Sequence, residues 1–226
     1  MKNLYDKNGI LFWSEEEIKL RKFFEEYFHH RILSSLKKQN SAFQSIQIEA
    51  PLLTPSEFIN KNYTNEDVYK LDNNLTLRPE TTAGSFIYAK NILSGYSDIK
   101  YKPPIMIWQH GKSFRKEQDV PSRFMKLKEF YQLEFQIIFS LNTSNDYSKN
   151  LYPEILVMFK SLVGDCKVEQ SDRLPSYSEE TIDIVCCKHN MEVCSMSKRN
   201  DLEGFKVIEV AIGTDRCIYC FENKDI

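Results

Sequence analysis

The sequence predicts an α+β domain, an antiparallel sheet of about six or seven strands with helices packed against it. Three observations carry this expectation. Short stretches alternate apolar and polar residues, above all "IMIWQH" (105–110), "EFYQLEFQ" (129–136) and "FKVIEVAIG" (205–213). Between them lie segments whose apolar residues recur at helical spacing. No repeat, low-complexity tract or linker rich in Pro, Gly or Ser divides the 226 residues. Residues 1–226 therefore read as one domain, long enough to bury roughly 70% of its unfolded surface.

The elements follow in order. Ser14 with Glu17 three residues on reads as a capping box, and Ile18, Phe24, Tyr27, Phe28, Ile32 and Leu36 continue it as a long amphipathic helix. "SIQIEAPLL" (45–53) alternates as a strand that Pro51 ends or sets at a sheet edge. "YKLDNNLTLRP" (69–79) reads as a hairpin turning at Asp72, Asn73 and Asn74. Residues 81–93 read as a helix in spite of Gly84, with a turn around Gly95. The strand at 105–110 leads into a hairpin spanning 111–136. Residues 151–163 have helical periodicity, with Pro153 placed in a first turn. Strands at 191–199 and 205–213 and a helix opening at Thr214 complete the chain.

The net charge of −2 excludes a chain that is basic throughout, so nucleic-acid contact must come from a local patch. One such patch lies between Lys112 and Lys128, which holds six basic residues. The six cysteines are clustered late, the N-terminus is charged rather than a secretory leader, and no apolar run reaches membrane-spanning length. These features read as a soluble, reduced, cytoplasmic protein. Cys217 and Cys220 form a CxxC, with Cys186, Cys187, His189 and Cys194 as further zinc candidates. A structural zinc site pairs two such knuckles, and here only one is clear, so core thiols are the expectation. His29 and His30 on the first helix read as surface or interface residues.

Alternation along 130–139 puts Tyr131, Leu133, Phe135, Ile137 and Phe139 on an apolar face and Phe130, Gln132, Glu134 and Gln136 on the other. Arg115 and Glu117 share a face on the preceding strand. Such a surface is either a solvated sheet face or a ligand floor. A third element favours the floor. In "EVAIGTDR", Glu209 and Ala211 share a face, and Thr214 and Arg216 open a helix whose free N–H groups suit phosphate oxygens. Two arginines, each beside a glutamate, suit a nucleoside triphosphate with Mg²⁺. There is no Walker-type glycine loop.

These blocks resemble the three signature motifs of class II aminoacyl-tRNA synthetases. The first helix and the strand ending at Pro51 resemble motif one, "SFRKE" with "EFYQLEFQ" motif two, and "VIEVAIGTDRCIYCF" motif three. With "LRPETTAG" (77–84), the wording is most similar to glycyl enzymes of the archaeal and eukaryotic type. The resemblance implies a class II-like antiparallel sheet, ATP and Mg²⁺ as cofactors, and transfer of an activated amino acid to the 3′ end of tRNA. It implies that Arg115 grips the α-phosphate, Glu117 reads the adenine amino group, Phe130 stacks on adenine, Arg216 holds the γ-phosphate and Glu209 binds Mg²⁺. Glu80, Gln132, Glu134, Glu192 and Ala211 fall to the amino acid, with Glu80, Glu134 and Glu192 around its ammonium. Arg123, Lys126 and Lys128 fall to the tRNA acceptor end. A homodimer through the first helix and motif-one strand is implied too.

The chain departs from the glycyl wording at three places. That pattern has a serine after V-I-E-P, in the glycine pocket, where this chain has Val210 and Ala211, and Thr81, Thr82 and Ala83 only approximate the family's residues. Synthetases of this type also continue into an anticodon-binding domain, and this sequence stops ten residues after Arg216. The amino acid is left open, and two alternatives stand beside tRNA charging. One is the same adenylation with a carrier protein or other acceptor; the other is an inactive paralogue serving as an accessory or nucleic-acid-binding subunit. The complete set of ATP residues weighs against the latter.

Overall fold

The protein is described here by a computed structural model, over residues 4–6, 8–59, 63–71, 74–94, 101–117, 126–171 and 178–224. A seven-stranded sheet forms its centre, in the order β3-β6-β7-β11-β10-β9-β8. These strands are β3 (Gln44–Gln47), β6 (Ile105–Phe114), β7 (Glu129–Ser140), β8 (Cys166–Gln170), β9 (Ser178–Cys186), β10 (Met191–Arg199) and β11 (Phe205–Gly213). Two small ladders lie outside it, β1 (Leu4–Asp6) with β2 (Ile10–Phe12), and β4 (Leu53–Pro55) with β5 (Leu75–Leu77). The helices are α1 (Glu15–Gln39), α2 (Thr82–Leu93), α3 (Ser148–Val163) and α4 (Thr214–Glu222). Among the described residues no helix is long and apolar enough to cross a membrane.

The two faces of the sheet differ because its strands alternate. On one face Met106, Trp108, Leu133, Phe135, Ile137, Ile208, Val210 and Ile212 pack with α1, α3 and α4 into the main core. On the other face α2 covers only the end bearing Ile105, Ile107, Ile138 and Val207. The remainder of that second face is polar and forms a cleft.

The capping box of α1 is formed, Glu17 N to Ser14 Oγ at 3.3 Å and Ser14 N to Glu17 Oε2 at 2.8 Å, and Phe24, Phe28, Ile32 and Leu36 are its buried stripe. Gly84 is tolerated in α2 because α2 lies against Ala50 there, and a Cβ would collide with the Ala50 methyl. The hairpin at 69–79 is paired by Lys70 and Thr76, with Asn74 at φ 61°; Asp72, Asn73 and the turn at Gly95 lie outside the described residues.

Four expectations are corrected. The strand expected over 45–53 stops at Gln47, and it pairs in parallel with β6, so the sheet is not wholly antiparallel. Beyond it Ile48 N still bonds to Trp108 O, but at Ala50 side chains take over, as Gln109 Oε1 accepts from Ala50 N and Arg78 Nη1 donates to Ala50 O. Helix α3 begins at Ser148, where Asp146 accepts from Ser148 N, so Pro153 sits one turn deeper than expected and removes one helical hydrogen bond. Arg115 and Glu117 lie just past the end of β6, with Arg115 N still bonded to Lys128 O at 3.0 Å. Strands β8 and β9 were not expected at all.

Candidate active site

The cleft of about 300 Å³ opens on the polar face and continues outward into a cavity of about 890 Å³. Its floor follows from strand register. Glu134 stands opposite Gln109 and Ala211, and Ala211 opposite Ser195; one rung along, Gln136, Glu209 and Ser197 are in line. Gln132 stands between Gly111 and Gly213. Gly111 must lack a side chain, because the Arg78 guanidinium occupies the space of a Cβ. Arg78 Nε in turn donates to Lys112 O at 2.7 Å, tying the α2 entrance to β6.

Three buried carboxylates converge at the inner end. Thr81 Oγ1 lies 2.5 Å from Glu134 Oε2, and the Thr82 hydroxyl bridges Glu134 at 3.1 Å and Glu209 at 2.8 Å. Glu209 Oε2 also accepts from Gln136 Nε2 at 2.7 Å and Arg199 Nη1 at 2.8 Å. Arg199 is held on its other edge by Asp201 at 2.7 Å and lies over the Phe86 ring. Glu80 accepts from Tyr63 Oη at 2.9 Å. Burial, with the charges of Glu209 and Glu80, pushes the Glu134 carboxyl up to about 8. Burial likewise raises Glu80, against the pull of Arg199. The site is therefore short of positive charge and suited to an ammonium group.

At the outer end Arg115 donates to Pro79 O at 3.1 Å and to Tyr63 Oη at 2.9 Å, and lies over the Phe130 ring at 5.1 Å. Burial works against its charge, yet Tyr63, Glu80 and Glu117 more than offset this and its pKa is raised. Glu117 pairs with Lys126 at 2.8 Å. Arg216, in the first turn of α4, donates to Glu192 O at 3.1 Å. The neighbouring Asp215 accepts from Tyr131 N and is pushed by burial up to about 7.

Thus Glu80, Arg115, Glu117, Phe130, Gln132, Glu134, Glu209, Ala211 and Arg216 line one cleft. Glu192 does not join the buried carboxylates. A bulge between Glu192 and Cys194 turns Val193 into the core and leaves Glu192 exposed on the rim. Lys126 is engaged with Glu117, Lys128 is half-buried at the hairpin base, and Arg123 lies outside the described residues. Val210 points into the core, so only Ala211 of that pair faces the cleft.

Sequence reading missed Arg199, Tyr63 and the two threonines as site residues. Alternation along β10 carries the signal for Arg199, since Ser195, Ser197 and Arg199 share a face while Cys194 and Met196 are core. Outside the cleft, Cys217 and Cys220 are fully buried core thiols. His110 joins Glu25 at 2.9 Å to Thr214 at 3.1 Å, and His29 stacks on Trp108 while His30 is exposed.

Glu209 does not fit a Mg²⁺ ligand. Its Oε2 carries three protein donors, one of them a guanidinium, and a divalent cation there would face that positive charge. Among the described residues no group of three or more His, Cys, Asp or Glu is arranged to hold a metal.

No family model matches the chain. In sequence it is 30% identical over 167 residues to the glycine–tRNA ligase of Mycoplasma capricolum, covering 71% of this chain and 34% of that protein. It is 33% identical over 113 residues to the glycine–tRNA ligase of Mycoplasmopsis synoviae, covering 48% of this chain and 24% of that protein. The chain thus spans about a third or less of the length of these relatives. In structure it superposes on Cryptosporidium parvum prolyl-tRNA synthetase with a TM-score of 0.72 at 13% identity, over 96% of this chain and 48% of that one. The pyrrolysyl-tRNA synthetase of Desulfitobacterium hafniense gives 0.62 at 16% identity, over 87% and 68%. The chain therefore has the fold of class II aminoacyl-tRNA synthetase catalytic cores, and over most of its length its sequence is similar to glycine–tRNA ligases.

Proposed function

We propose that the chain activates a small amino acid, glycine first among them, with ATP and transfers the acyl group to the 3′ end of tRNA. One observation carries the reading: a single cleft has three buried carboxylates at one end and two arginines, a glutamate and an aromatic ring at the other. The names of its relatives point the same way.

Glu80 and Glu134 take the ammonium, with Thr82 linking Glu134 to Glu209, which is itself paired with Arg199. Phe130 stacks on adenine and Glu117, released from Lys126, accepts from its amino group. Arg216 takes the γ-phosphate. An oxygen of the amino-acid carboxylate attacks the α-phosphorus in line; a P–O bond forms, the bond to the bridging oxygen breaks, and its electron pair leaves with pyrophosphate. The nucleophile is already ionised and needs no general base, so positioning and charge stabilisation by Arg115 carry the step. Lys126, Lys128 and Arg123 are the residues we propose for the acceptor end of tRNA.

The test is charging of bulk tRNA with labelled glycine and ATP. An alkali-labile ester on tRNA supports the reading; adenylate formed without any transfer to tRNA would move the acceptor elsewhere.

A further inference from the structure

One side chain touches both ends of the cleft. Tyr63, on the loop between β4 and β5, has one hydroxyl proton to give and lone pairs to accept with. It gives the proton to Glu80 Oε2 at 2.9 Å and accepts from Arg115 Nη2 at 2.9 Å. Its ring lies 5.5 Å from the Arg115 guanidinium carbon, and Phe130 lies 5.1 Å from it. Arg115 Nε also donates to the carbonyl of Pro79, the residue before Glu80. The arginine is therefore held through the segment that carries the ammonium ligand.

We propose that Tyr63 is a positioning residue that couples amino-acid binding at Glu80 to the phosphate grip of Arg115. The proposal rests on the adenylating role given to the cleft. An ammonium beside Glu80 keeps that carboxylate ionised, and an ionised acceptor makes a shorter, stronger bond to the tyrosine hydroxyl. The polarised hydroxyl oxygen becomes a better acceptor for Arg115, which fixes the guanidinium where the α-phosphate arrives. Coupling of this kind is reciprocal, so each substrate tightens the other.

The test uses α,β-methylene-ATP, which cannot release pyrophosphate, titrated with and without the amino acid that supports pyrophosphate exchange. In the unaltered protein the amino acid tightens the analogue by about fivefold or more. In Tyr63→Phe, which keeps the ring and loses only the hydroxyl, the affinities for the analogue with and without the amino acid become equal, so the amino acid no longer tightens it. A pH profile supplies a readout that a structural role would not move. Glu80 faces Arg199, Glu209, Arg115, Tyr63 and Glu134, and the tyrosine bond helps keep it ionised. Its loss shifts the acidic limb of amino-acid KM upward in pH. Unchanged coupling in Tyr63→Phe, with exchange intact, overturns this proposal alone. Absence of exchange in the unaltered protein with every amino acid overturns the adenylating role, and this proposal with it.

Discussion

In the proposed reaction Arg115 and Glu134 carry opposite tasks, and each yields a test. On that proposal Arg115→Ala removes the preorganised charge at the α-phosphate and should lower adenylation by roughly a hundredfold or more while the fold persists. Stopped-flow or exchange kinetics read this directly, and near-normal rates would remove Arg115 from the role. For Glu134 the sign follows from its shift. The unfolded chain releases this proton near 4.5 and the folded chain keeps it until about 8. Between those values the folded state binds more protons, so stability of the unliganded protein falls as pH rises through the window. Glu134→Gln should flatten that slope in melting temperatures measured from pH 5 to 8; an unchanged slope would show that Glu134 ionises normally. Charge at Arg199 is held differently. Arg199→Ala leaves Glu209 and Asp201 without their guanidinium, and removal of one partner from a buried pair costs about 3–5 kcal/mol by denaturant unfolding. Substitution without loss would mean that Glu209 is solvated.

At the scale of elements, the motif-two hairpin was legible because its alternation is strong and each face has one character. Capping made α1 equally legible, and Ser14→Ala should cost about 1 kcal/mol through the lost N-cap bond. Strands β8 and β9 gave no such signal. In β8 only Cys166 is buried, and "SEETIDIVC" in β9 mixes polar residues into both faces, as suits the strands at the end of the sheet. The parallel pairing of β3 was hidden too, because pairing direction depends on how α1 returns the chain and not on local pattern. Gly111 tests the join of β6 to the α2 entrance. Gly111→Ala forces its methyl into the Arg78 guanidinium and should destabilise by about 1–3 kcal/mol, whereas an unperturbed melt would show that Arg78 moves freely.

For the whole molecule, motif order read from the sequence matched the class II fold: residues of the 77–84 block and of motifs two and three meet on one sheet face, while α1 of motif one packs on the other. The convergence of Glu80, Glu134 and Glu209 was only partly legible. Two of these residues sit on strands whose parity shows which way they point, but Glu80 comes from a loop beside α2, and only the docking of α2 on β6 and β7 brings it in. Tyr63 had no sequence signal for the same reason. We also expect a homodimer through α1 and the motif-one segment, at whose end Leu52 and Leu53 are exposed. Light scattering should give twice 26.7 kDa, and a monomer at micromolar concentration would contradict that expectation. The most direct test of the account is amino-acid-dependent exchange of pyrophosphate into ATP, run with each of the twenty amino acids and no tRNA. Exchange with one small amino acid, glycine first, abolished by Arg115→Ala, is the expected result. Folded protein that exchanges with none of them would contradict the adenylating role.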